Sequence, residues 1–131
     1  MPRHEINSAL PASHSALLVM VHGSPRPQSN RDMFAVVEQV RTRGEFGHVE
    51  VGFMELNEPT IPEAIERCVA TGATQIIAVP YFLHAGTHVA DDLPSLLEAA
   101  AARYPDVEFL MGDYLGHDAL IADVIRDRAR F

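Results

Sequence analysis

Three histidines stand where the chain changes direction. His22 lies in Val21-His22-Gly23-Ser24, and His84 and His88 lie in Leu83-His84-Ala85-Gly86-Thr87-His88. Imidazole titrates near neutral pH and is a frequent ligand of borderline transition metals. A set of two or three imidazoles leaves coordination positions open, which suits holding and releasing a metal ion. A lasting structural zinc site takes four ligands, commonly paired cysteines, and the chain has one cysteine, Cys68. Glu55, in Phe53-Met54-Glu55-Leu56, is a carboxylate that can ligate a metal or accept a proton. The competing reading of each residue is local: a histidine bonded within its own loop, a glutamate solvated at a strand end. On residue chemistry alone both readings stay open. Ser24 invites a hydrolase reading, but a nucleophile elbow needs Gly-x-Ser-x-Gly and the sequence is Val-His-Gly-Ser-Pro. Gly23 and Gly86 are suited to close backbone approach to a ligand or to a positive φ. No dinucleotide or Walker pattern supports nucleotide binding.

Something must bring residues about sixty positions apart together. Residues 16–21 are an unbroken apolar run, the mark of a strand buried on both faces. A helix is expected next, with Met33, Phe34, Val37 and Val40 inward and Gly44 near its end. The second strand spans about 49–56. Thr60 and Glu63 have capping-box spacing, opening a helix whose inner face carries Ile61, Ala64, Ile65, Cys68 and Val69. The third strand covers 75–82, with Pro80 weakening its pairing near the end. A helix over 90–104 shows Leu93, Leu96, Leu97, Ala100, Ala101 and Tyr104 on one side, with Asp91 and Asp92 facing the dipole of its first turn. A fourth strand spans about 107–114 and a last helix about 118–130.

Four strand–helix repeats imply a three-layer α/β/α domain around a parallel sheet, here in the order 2-1-3-4, a truncated flavodoxin-like fold. Ligands of such sheets bind beyond the carboxyl ends of the strands, where the order reverses. That crevice lies between strands one and three, so His22 meets the loop of His84 and His88. The 131 residues fit one domain, 16–131, after a flexible N-terminal arm over 1–15. With 47% hydrophobic and 21% charged residues the composition is globular. The net charge of −8 argues against nucleic acid as a partner. No apolar run is long enough for a membrane span, and neither a signal-peptide pattern nor a disulfide framework is present, so a cytoplasmic location is expected.

Several segments together resemble the short, single-domain CbiX-type sirohydrochlorin chelatases of the class II chelatase superfamily. They are His22-Gly23-Ser24 followed by Asn30, residues 53–59 (Phe-Met-Glu-Leu-Asn-Glu-Pro), residues 79–94 (Val-Pro-Tyr-Phe-Leu-His-Ala-Gly-Thr-His-Val-Ala-Asp-Asp-Leu-Pro) and Leu115-Gly116-His117-Asp118. The resemblance runs from about residue 17 to 128. It implies that His22 and His88 bind the incoming metal and are the catalytic pair, with His84 auxiliary; Glu55 stays a possible ligand from its place at the end of the second strand. It implies sirohydrochlorin, a tetrapyrrole with many carboxylates, as substrate, and cobalt, iron or nickel as the metal, with no permanently bound cofactor. It implies a homodimer with the tetrapyrrole between subunits. Gly23, Ser24, Gly86 and Thr87 would face substrate. Pro25 stands where relatives often carry arginine, and Arg26 would take its place. A metal carrier built on the same histidines and a small hydrolase built on Ser24 are the alternatives.

Overall fold

The computed structural model describes residues 14–130. Its elements are β1 (Ser15–Val21), α1 (Pro27–Thr42), β2 (His48–Phe53), α2 (Ile61–Ala70), β3 (Gln75–Pro80), a π-helical turn (His88–Asp92) leading into α3 (Leu93–Arg103), β4 (Glu108–Met111) and α4 (Ala119–Arg128). The sheet is parallel with strand order β2-β1-β3-β4, as expected. The arm expected over 1–15 falls largely outside the described residues. Its last residue, Ser15, belongs instead to β1, buried with its hydroxyl donating to Gln75 Oε1 at 2.9 Å.

Alternation along β1 divides the core. Ala16, Leu18 and Met20 pack with Ile61, Ala64, Ile65, Cys68, Leu93 and Leu97, so α2 and α3 cover one face. Leu17, Val19 and Val21 pack with Met33 and Val37 of α1 and with Val49, Val51 and Phe53. Burying both faces of a central strand explains its unbroken apolar run. Each such Leu or Val contributes about 1.5–3 kcal/mol on leaving water. Helix α2 comes close to the sheet, for a Cβ at Gly52 would lie 2.9 Å from Ile61 Cα.

Several boundaries moved. The capping box is present, Glu63 N donating to Thr60 Oγ1 and Thr60 N to Glu63 Oε1. Phe34, expected inward, is 44% exposed, its ring edge-on to Phe53 at the margin of the core. The second strand stops at Phe53 because Leu56 turns to φ 71°. Helical structure starts at His88, two residues earlier than expected, and begins with a wider turn closed by Leu93 N donating to His88 O. Pro94 has no N–H to give Ala90 O, so an ordinary α-helical turn is interrupted there. Among the described residues no helix is long and apolar enough to cross a membrane. Helix α4 adds no residue to either core, and Leu120, Val124 and Ile125 along it are exposed.

Candidate metal centre

His22 is the first residue after β1, and the sheet's backbone pairing continues past it. Met54 N donates to Val21 O at 2.8 Å, Glu55 N to His22 O at 3.1 Å and Tyr81 N to Met20 O at 2.8 Å. The His22 backbone is thus held by its neighbouring strand while its ring projects into the crevice. Gly23 then turns at φ 103°, and a Cβ there would sit 1.9 Å from Glu55 O. This is a close approach that only glycine permits. Asn57 fastens the two loops, its Oδ1 accepting from Ser24 N at 2.7 Å.

The rings of His22 and His88 lie 5.3 Å apart, centroid to centroid, tilted by 47°. Each is oriented through Nδ1. That of His22 faces Gly23 O at 3.1 Å, and that of His88 faces Asp92 Oδ2 at 2.8 Å. A carbonyl or carboxylate accepts from an Nδ1–H, which leaves the Nε2 lone pair as the one a metal could use. Nε2 of His22 meets Glu55 Oε2 at 3.1 Å. All four side chains are roughly half exposed, at 43% for His22, 47% for His88, 58% for Glu55 and 46% for Asp92. The centre is therefore open to solvent and to a large ligand. Among the described residues no group of three or more His, Cys, Asp or Glu encloses an ion.

The other expected site residues separate. His84 is exposed in the loop and makes no hydrogen bond or ring contact among the described residues. Gly86, expected at a positive φ or a close approach, has neither within the protein, since a Cβ there meets open space. Its carbonyl accepts from Ala90 N at 2.9 Å. Thr87 is exposed and caps the π-helical turn without a side-chain bond. Arg26 is exposed at the start of α1 and forms no ion pair. Ser24 Oγ accepts from Arg26 N at 3.0 Å and meets no histidine, so the serine-hydrolase constellation is not assembled. Cys68 is sealed in the core, and burial, followed by the charge of Glu50, pushes its thiol up to about 12. Burial, then the charge of Asp32, also raises the Tyr81 phenol.

Two residues of this arrangement escaped the sequence reading. Asp92 was assigned to the helix dipole, although its spacing of four from His88 puts both on one helical face. Asn57 carried no signal, because its bond to Ser24 joins segments 33 positions apart.

The CbiX family model matches residues 16–130. The chain belongs to the CbiX family. Sirohydrochlorin cobaltochelatase of Methanocaldococcus jannaschii is 36% identical over 138 residues, an alignment covering 87% of this chain and 96% of that one. The chloroplastic sirohydrochlorin ferrochelatase of Arabidopsis thaliana is 35% identical, over 86% of this chain and 50% of the relative. Among solved structures, the sirohydrochlorin chelatase SirB of Bacillus subtilis subspecies spizizenii in complex with cobalt superposes with a TM-score of 0.82 at 32% identity, covering 87% of this chain and 49% of SirB. This CbiX-family chain thus spans nearly all of the archaeal relative and about half of the other two.

Proposed function

We propose that this CbiX-family chain is a chelatase that inserts a divalent metal into sirohydrochlorin. The observation that carries the reading is the facing pair His22 and His88, each oriented through Nδ1, in an open crevice between β1 and β3. The macrocycle loses two pyrrole protons as the dication enters. The protein therefore has to hold the metal weakly, offer it to the ring face and accept protons. Two neutral imidazoles hold cobalt, iron or nickel without trapping it. Glu55, whose Oε2 lies 3.1 Å from Nε2 of His22, is the acceptor for protons leaving the site. Asp92 keeps the His88 ring turned toward the metal. The backbone at Gly23 and Ser24, with Arg26, forms one rim of the substrate cleft, and Gly86 and Thr87 form the other.

The working form in this reading is a homodimer with the tetrapyrrole between two copies. Two features support it. The chain spans about half of the Arabidopsis and Bacillus relatives, and Leu120, Val124 and Ile125 leave α4 with an apolar face that its own sheet does not cover. Purified protein is mixed with sirohydrochlorin and cobalt(II), iron(II) or nickel(II), and the absorbance change of metal insertion is followed. The expected result is acceleration over the protein-free mixture. Tight metal binding with no acceleration would instead identify a carrier. Sedimentation at working concentration checks the dimer, and a monomer that retains full activity refutes it.

A further inference from the structure

Beside the histidine pair lies a second concavity, of about 420 Å³, on the α1 side of the His22 loop. Ser24, Asn30, Arg31 and Asn57 supply its polar wall, and Pro25 and Phe34 its apolar one. It is joined to the metal centre through the backbone: Ser24 is held by Asn57, Asn57 N donates to Glu55 O at 2.8 Å, and Glu55 touches His22.

All ten cationic side chains of the protein are arginines, against 18 carboxylates. A polyanionic substrate therefore needs local positive charge that is not already neutralised. Arg41, Arg67, Arg103, Arg126 and Arg130 are in ion pairs. Arg31 pairs with no acid among the described residues, and its neighbour Asp32 accepts from Gln28 Nε2 at 2.8 Å instead. Arg43 is likewise unpaired but lies beyond the far end of α1. Arg26 is unpaired too, yet it does not line the concavity. A guanidinium binds a carboxylate through two parallel hydrogen bonds, and the Asn57 amide and the apolar wall suit the arm and edge of a macrocycle.

We infer that Arg31 anchors one carboxylate arm of the tetrapyrrole in this concavity, orienting the macrocycle over His22 and His88. The inference rests on the chelatase reading and adds a specificity residue to it. Arg31 is exposed on a helix, so its substitution leaves the fold in place, which circular dichroism checks. Binding of sirohydrochlorin to the metal-free protein is read by quenching of the tetrapyrrole's fluorescence, and binding of cobalt(II) alone by calorimetry. Arg31→Gln should weaken sirohydrochlorin binding roughly ten- to a hundredfold, the range of a charge-assisted hydrogen bond. Arg31→Lys should recover part of the loss, and cobalt binding should not change. Arg43→Gln serves as a control and should match wild type. Arg31→Gln binding sirohydrochlorin within about twofold of wild type overturns the anchor while leaving the chelatase reading intact. Wild-type protein that neither binds sirohydrochlorin nor inserts metal overturns both.

Discussion

Replacing Asp92 by alanine isolates what orientation contributes to the metal centre. Asp92 acts on the ring of His88, whose Nδ1 its Oδ2 meets at 2.8 Å, leaving Nε2 for a metal in the proposed reading. Removing it frees the His88 ring to rotate and to place its proton on either nitrogen. Loss of such a supporting carboxylate typically costs 10- to 100-fold in metal affinity or activity. Asp92 is 46% exposed, so water competes for the interaction, and a loss of about tenfold is expected, near the lower limit. The same exposure makes the pair nearly irrelevant to folding, since an exposed i,i+4 ion pair contributes about 0.3–0.5 kcal/mol. Asp92→Ala should therefore raise the KM for cobalt(II) about tenfold, with little change in the KM for sirohydrochlorin or in Tm. Asp92→Asn keeps an acceptor oxygen and should fall between wild type and alanine. Steady-state rates across a cobalt titration give both constants. An unchanged cobalt dependence in Asp92→Ala would refute the orienting role, whereas a collapsed Tm would show that Asp92 acts through the π-helical turn.

His22→Ala and His88→Ala should each cripple insertion while keeping stability within about 0.5 kcal/mol of wild type, because both rings are half exposed; His84→Ala should be milder in the same assay. Gly23→Ala forces a Cβ onto Glu55 O at a positive φ, and should lose more than about 1 kcal/mol in a urea titration as well as the activity. Ser24→Ala should leave insertion rates largely intact, and loss of the reaction there would revive the nucleophile reading. Cys68 holds its proton more tightly folded, at about 12, than in its ordinary range near 9.0. The native state therefore binds more protons than the unfolded one between those values, and this contribution to stability should fall as pH rises above 9. The melting temperature of wild type should fall relative to that of Cys68→Ala across that range, and parallel curves would contradict it.

The strand order was legible because the central strand announced its burial. Residues 16–21 have no polar break and lie at the centre of the sheet, as a strand covered on both faces must. That placement alone brought His22 to the loop of His88. Phe34 and the start of the His88 helix were misread for physical reasons. Helical spacing tells which side a residue faces but not how far the sheet beneath extends, so Phe34 was counted inward at a rim. Pro94 was visible, but the π-helical turn that accommodates it depends on i→i+5 closure, which no local propensity encodes. Glu55 was named as a candidate carboxylate, but Asn57 reaches the site through its bond to Ser24, and pairing between distant segments leaves no local trace.

In the proposed chelatase, two oriented imidazoles in an open site are enough. A metal on its way into a macrocycle has to exchange every ligand but those the ring cannot supply, so each bond to protein raises the barrier to handover. His22 and His88 are held from behind, through Nδ1, by a carbonyl and a carboxylate. Their orientation therefore costs the metal no coordination position. Among the described residues Glu55 is the further donor in contact, and it faces Nε2 of His22, the nitrogen a metal would use. In the proposed reading carboxylate and metal alternate at that nitrogen, which favours release over retention. Gly23 is what allows the alternation, since the 1.9 Å approach of its missing Cβ to Glu55 O keeps the two loops close enough for Glu55 to reach the ring.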